Sequence, residues 1–284
     1  MFSNLNYCIP ESKGFGGAFE FIAKILVLFL GGTLIGALIV GILTALKVLP
    51  AGHELELAEL ISYPFMFALL IPWAVKRSKR YSAFAEGHPV MPVDAPLGGF
   101  AKAAVPVLVV AVATVSMGYM NDALTALLPP MPDNLVEVMK AITQGNLIVN
   151  LLCVSVMAPI LEELLCRGLV MRGLLARGAK PWVAIVVSAL FFALIHMNIW
   201  QALNAFLLGA LFGYVYLRTG SLKLTMIMHC VNNTLSLILS RIPGFEDAEG
   251  WMDIMPAGWY WAAFAAAAVL LAACICYFAR KKEC

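Results

Sequence analysis

The chain has 284 residues, of which 62% are hydrophobic and 13% charged, with a formal net charge of +2 and a mean hydropathy of +0.89. Soluble domains hold roughly half apolar and about a quarter charged residues, so one soluble core cannot absorb this excess and lipid must solvate much of the chain. The length leaves no room for a large soluble domain beside a membrane domain, and the small net charge excludes a nucleic-acid partner.

The N-terminal stretch lacks the basic n-region and small-residue cleavage site of a signal peptide, so the first apolar run is expected to persist in the mature protein. A spanning helix needs about 20 mainly apolar residues. Eight candidates follow in chain order, at about 20–48, 58–75, 100–121, 147–171, 182–200, 202–217, 222–241 and 257–279. Between the third and fourth, residues 134–143 read as a short interfacial helix capped by Asp133 after Pro132. The chain is thus expected to be an all-α polytopic membrane protein. It divides into 1–146 without motifs, a motif-bearing core at 147–241, and 242–284 with a loop, the last span and a basic tail.

Loop charges set the orientation. Lys76, Arg77, Lys79 and Arg80 open one loop, Arg172, Arg177 and Lys180 lie in the next of the same parity, then Arg218 and Lys223, then Arg280, Lys281 and Lys282. The alternate loops carry Glu54, Glu56 and Glu59, then Asp122 and Asp133, then Glu246, Asp247, Glu249 and Asp253. This alternation predicts both termini on the cytoplasmic side of a bacterial-type cytoplasmic membrane. The seven cysteines include no CxxC pair; Cys153, Cys166, Cys230, Cys274 and Cys276 sit in apolar runs, and Cys8 and Cys284 near the ends. They read as small apolar residues and not as a disulfide or zinc-finger scaffold.

Ionisable residues inside a span are costly and mark function. The fourth span holds Glu162, Glu163 and Arg167, the fifth His196, and the seventh His229 with Asn233. His53 and His88 fall in loops and read as surface residues. Glu163 and Arg167 are four apart and share a helix face, where pairing offsets the desolvation of both. Glu162 is rotated by about 100° and is free to face a cavity. Phe192 is four residues before His196 and can wall its pocket. His229 and Asn233 again share one face. A carboxylate, two imidazoles and an amide suffice for hydrolysis: the carboxylate and one histidine activate water, and the other histidine and the amide stabilise an oxyanion.

At these residues the chain resembles the CAAX-protease and bacteriocin-processing (Abi) family of intramembrane peptidases. That family shows EExxxR, FxxxH and HxxxN on successive helices. Here they read Glu162-Glu163-Leu-Leu-Cys-Arg167, Phe192-Ala-Leu-Ile-His196 and His229-Cys-Val-Asn-Asn233. The resemblance implies that Glu162 and His196 activate water and that His229 and Asn233 form the oxyanion site. Glu163, Arg167 and Phe192 then give structural support, and the substrate is a peptide or membrane protein.

Other intramembrane chemistries fit poorly. There is no HExxH and no GxSxG elbow. Asp94, Asp122, Asp133, Asp247 and Asp253 are all expected outside the spans, so no aspartate pair forms. No cofactor is the preferred expectation; a Zn²⁺ ion on Glu162, His196 and His229 is the alternative. Two GxxxG stripes, Gly32–Gly36 and Gly209–Gly213, are expected to serve packing within the chain, with a homodimer as the alternative. The rival functional readings are a catalytically silent membrane scaffold or bacteriocin-immunity protein, and a small transporter, although neither repeated halves nor broken helices are evident.

Depth constrains the cluster. His229 should lie about 7 residues, or ~10 Å, from the cytoplasmic surface, and His196 about twice as deep. Glu162 matches only if the fourth helix runs past Arg172 towards Gly178, with Arg172 and Arg177 in headgroups or water. The four residues are expected to share one cavity open to the cytoplasm.

Overall fold

The computed structural model describes residues 2–11, 14–49, 54–82, 91–245, 248 and 250–280, and these form helices without a strand. His53, His88, Glu246, Asp247, Glu249, Lys281, Lys282 and Cys284 lie outside the described residues. The helices are α1 (Phe15–Ala45), α2 (Glu54–Met66), α3 (Leu70–Ser82), α4 (Phe100–Thr125) and α5 (Asp133–Gln144). Then follow α6 (Leu147–Ala176), α7 (Pro181–Leu194), α8 (Ile199–Thr219), α9 (Leu222–Leu239) and α10 (Ala257–Ala279). Seven apolar stretches are long enough to cross a bilayer among the described residues, counting 57–82 through α2 and α3 as one. The protein is an integral membrane protein.

The fifth expected span, 182–200, is shorter than predicted. α7 has 14 residues, about 21 Å at 1.5 Å per residue against a hydrocarbon core of about 30 Å. It stops because the chain turns at 195–198, with Met197 at φ 55° and the Asn198 side chain capping α8 through Gln201 N at 2.8 Å. That early turn places His196 inside the bundle.

α6 runs unbroken from Leu147 to Ala176, as the depth of Glu162 requires, but not as a uniform α-helix. Residues 151–157 and 164–171 are π-helical, flanking an α-helical stretch at Ala158–Glu163. Pro159 accounts for the first: it offers no N–H to the preceding turn and its ring crowds the carbonyl four residues back. In the second, Cys166 O accepts from Ser188 Oγ at 2.9 Å and Gly168 O from Arg172 Nε at 2.7 Å, so side chains take up carbonyls of the wider turn. Such turns are rare and concentrate at functional sites.

Other boundaries also shift. Lys76, Arg77, Lys79 and Arg80 belong to α3, because nothing breaks the helix before Ser82. Glu54 and Glu59 belong to α2, and Asp122 to the last turn of α4. Asp133 is the first residue of α5 and makes no capping bond; Pro132 holds the cap position.

Most of the basic loop residues gather at one end of the bundle, whereas Arg241 lies at the other and donates to Gly145 O. At the basic end Arg218 donates to the carbonyls of Phe278 and Ala279, and Lys223 pairs with Asp94 at 2.9 Å. Arg172 does not reach headgroups or water; it is fully buried. Nε donates to Gly168 O, Nη1 to Asn6 O and to Met91 O at 3.3 Å, and Nη2 to Leu5 O at 2.9 Å and Cys8 O at 3.0 Å. The five guanidinium hydrogens thus meet five carbonyls, which is why the charge tolerates burial without a carboxylate. Arg177 donates to Pro10 O and Glu11 O, so both arginines bind the N-terminal segment. Burial pushes the Cys8 thiol up to about 12, opposed by the nearby charges of Arg172 and Arg77.

Both glycine stripes face neighbouring helices of the same chain. A Cβ on Gly32 would strike the carbonyls of Phe65 and Met66 of α2, and one on Gly209 would come within 3.3 Å of Ala189 Cα of α7. Close contact of α7 with α8 is therefore written into Gly209 and Gly213.

Candidate active site

α6, α7 and α9 bring the three motifs together around Phe192. Its ring lies 4.9 Å from the His196 ring and 5.3 Å from the His229 ring, both edge-on, and 4.9 Å from the Arg167 guanidinium carbon. Phe212 of α8 covers the other side of Arg167 at 5.3 Å. The guanidinium is held between two aromatic faces, a favourable place for a desolvated cation.

Glu163 and Arg167 are both wholly buried, with Arg167 Nη1 2.6 Å from Glu163 Oε1 and Nη2 donating to Gly209 O at 2.8 Å. Glu163 does more than brace the helix, because the same Oε1 lies 3.2 Å from His229 Nδ1. Glu163 Oε2 and Arg167 Nε have no hydrogen-bond partner among the described residues.

Glu162 turns the other way, into the cavity, and its side chain is 15% exposed. The Tyr63 hydroxyl of α2 donates to its Oε1, while Oε2 lies 3.9 Å from His229 Nε2. His196 does not touch Glu162: its Nδ1 bonds Phe192 O at 2.7 Å. A carbonyl oxygen only accepts, so Nδ1 carries the proton and Nε2 holds the lone pair. At His229, Nδ1 faces the Glu163 carboxylate, which orders the ring the same way and turns Nε2 towards Glu162. Asn233 Nδ2 donates to Val154 O at 2.8 Å and its Oδ1 accepts from Asn232 Nδ2 at 3.1 Å, leaving one amide hydrogen uncommitted.

Glu162, His196, His229 and Asn233 all line one cavity of about 390 Å³. Its lining includes Met139 and Thr143 of α5, Gln201 at the start of α8 and Ser236 in the second half of α9, all towards the end of the acidic loops. His196 follows the far end of α7, and Glu162 sits 14 residues from the basic-end terminus of α6, about 20 Å.

Tyr63, Asn204 and Asn232 also line or reach the cavity but belong to none of the three sequence motifs. An intramembrane hydroxyl or amide is the signal that would have found them. Tyr63 carries no motif and comes from a helix 99 residues earlier. As a metal site the arrangement fits poorly. Among the described residues no three histidine, cysteine or acidic side chains approach one another closely enough to share an ion. Glu162 and His229 are near neighbours, and His196 does not complete the set.

Residues 144–235 match the family model described as type II CAAX prenyl endopeptidase Rce1-like. No curated protein and no solved structure matches the chain. The matched segment contains all three motifs, with α6 and α7 whole and most of α9. Over this segment, about a third of the chain, the protein is similar to that family of membrane endopeptidases.

Proposed function

We propose that the protein is an intramembrane endopeptidase in which Glu162 and His196 activate a water molecule and His229 and Asn233 steady the oxyanion of the tetrahedral intermediate. The observation that carries this is the exposure of the Glu162 carboxylate and of a lone-pair Nε2 on His196 in a single cavity. The water gives its proton to this base pair and its oxygen to the scissile carbonyl; the C–N bond then breaks as the pair returns the proton to the leaving amine. The spare amide hydrogen of Asn233 can meet the developing oxyanion. His229 Nε2 can donate to it only while that nitrogen bears a proton. No step passes through a metal ion.

With the basic end on the cytoplasmic side, as the loop charges require, the cavity faces the opposite surface and receives peptides from there. Cysteine labelling tests the orientation: Ser82→Cys should label from the cytoplasmic side and Asn134→Cys from the other, and labelling of both from one side would overturn it. Activity is tested by incubating the purified protein with a peptide library, with Glu162→Gln as control. Cleavage that disappears in the variant supports the proposal. No cleavage, or equal cleavage by the variant, favours a silent scaffold or immunity protein.

A further inference from the structure

A second cavity of about 350 Å³ lies beside the catalytic one, bounded by α4, α9 and Phe245, Ala248, Gly250 and Trp251. Asn204, Asn232 and Ser236 line both cavities, so these side chains divide them. Amides continue across the divide: Asn121 Nδ2 donates to Asn204 Oδ1 at 2.6 Å, and Asn232 to Asn233 of the catalytic cavity at 3.1 Å. A side-chain amide carries a donor and an acceptor, the same pair that a peptide unit presents. Such a row suits an extended backbone running from one cavity into the other.

The far end of the second cavity has a different chemistry. Asp122 Oδ1 accepts from Trp251 N at 2.9 Å, and the loop backbone lies so close that a Cβ on Gly250 would collide with that oxygen. Asp122 Oδ2 is buried beside the Tyr260 hydroxyl, which is placed to donate to it. Aromatic rings line the same cavity: Tyr119 is 5.5 Å from Trp251, and Phe245 meets Trp251 edge-on at 5.3 Å. A carboxylate in a cavity lined by aromatic rings is an environment that a cation stabilises, by ion pairing and by attraction to the ring faces.

We infer that this second cavity is a specificity site that takes a basic side chain of the peptide whose scissile bond lies in the catalytic cavity. The inference rests on the peptidase reading for the identity of its ligand. Asp122 pairs with the ammonium or guanidinium, Tyr119 and Trp251 flank it, and Asn204 and Asn232 hold the intervening backbone.

The test is equilibrium binding to the detergent-solubilised full chain carrying Glu162→Gln, so that hydrolysis does not enter. The probes are N-acetylated fluorescent peptides, identical except that Lys, Arg or Ala occupies each position in turn. Acetylation removes the terminal amine as a competing cation. At one position Lys or Arg should bind about tenfold more tightly than Ala, the scale of one desolvated charge contact. Asp122→Asn, which keeps the Oδ1 acceptor for Trp251, should abolish that preference and leave the Ala peptide unchanged. Trp251→Leu leaves the carboxylate in place and should reduce the preference severalfold. Equal affinity of basic and Ala peptides at every position, or equal weakening of both by Asp122→Asn, overturns the inference. A basic preference in a protein whose wild-type form cleaves nothing would instead retain the site and refute the peptidase reading.

Discussion

Glu163→Ala removes the carboxylate that Arg167 and His229 share. In the intact protein the Arg167 guanidinium has that carboxylate at 2.6 Å, the Gly209 carbonyl at 2.8 Å and two aromatic faces, all at zero exposure. The variant keeps the carbonyl and the rings and loses the carboxylate in direct contact with the cation. At an effective dielectric of about 20, charges about 4 Å apart attract by about 4 kcal/mol. That agrees with the ~3–5 kcal/mol expected for breaking a buried pair from one side. Glu163→Gln keeps an acceptor and should cost less, about 1.5–3 kcal/mol, the worth of a hydrogen bond to a charged group. The double variant Glu163→Leu/Arg167→Leu leaves no stranded charge and should recover most of the loss. Denaturant unfolding in micelles, followed by tryptophan fluorescence, measures all three. A Glu163→Ala variant within about 1 kcal/mol of the parent, or a double variant no more stable than the single one, would refute this role for the pair.

Glu162→Gln preserves the size of the side chain and an acceptor for Tyr63, so the protein should stay folded while turnover falls about 10²–10⁴-fold, the usual contribution of a positioned base. Tyr63→Phe should lower kcat about 10- to 100-fold with little change in KM, because the lost bond is to the charged carboxylate and not to substrate; a change in KM alone would contradict this. Exhaustive chelation should leave activity intact, whereas stoichiometric zinc with activity lost on its removal and restored by adding it back would overturn the metal-free chemistry. At pH 7 a maleimide should spare Cys8 in the native protein and modify it after unfolding, because it is buried with its thiol pushed up to about 12; mass analysis showing rapid labelling of native Cys8 would contradict its placement.

The membrane class and most spans are legible in the sequence because apolar length and loop charge act locally. The 3.6-residue helical period is likewise enough to put Glu163 and Arg167 on one face. Three features are not legible, each for a physical reason. The end of α7 depends on a left-handed turn at Met197 and an asparagine cap, which apolar continuity through 182–200 conceals. The burial of Arg172 depends on carbonyls more than 160 residues away, whereas its neighbours in sequence suggest only a basic loop. Tyr63 looks like any aromatic residue of an apolar run until α2 packs beside α6.

The Arg172 contacts also govern the order of events during synthesis. Leu5, Asn6 and Cys8 leave the ribosome 164 to 167 residues before the side chain that will hold them. At roughly 5–20 residues per second that interval lasts about 10–30 s. Throughout it the segment waits at the membrane surface while three spans insert and a fourth begins, with its carbonyls hydrated and Cys8 open to oxidation. A nascent chain halted before Arg172 should therefore leave this segment accessible to protease, and one extended past it should not.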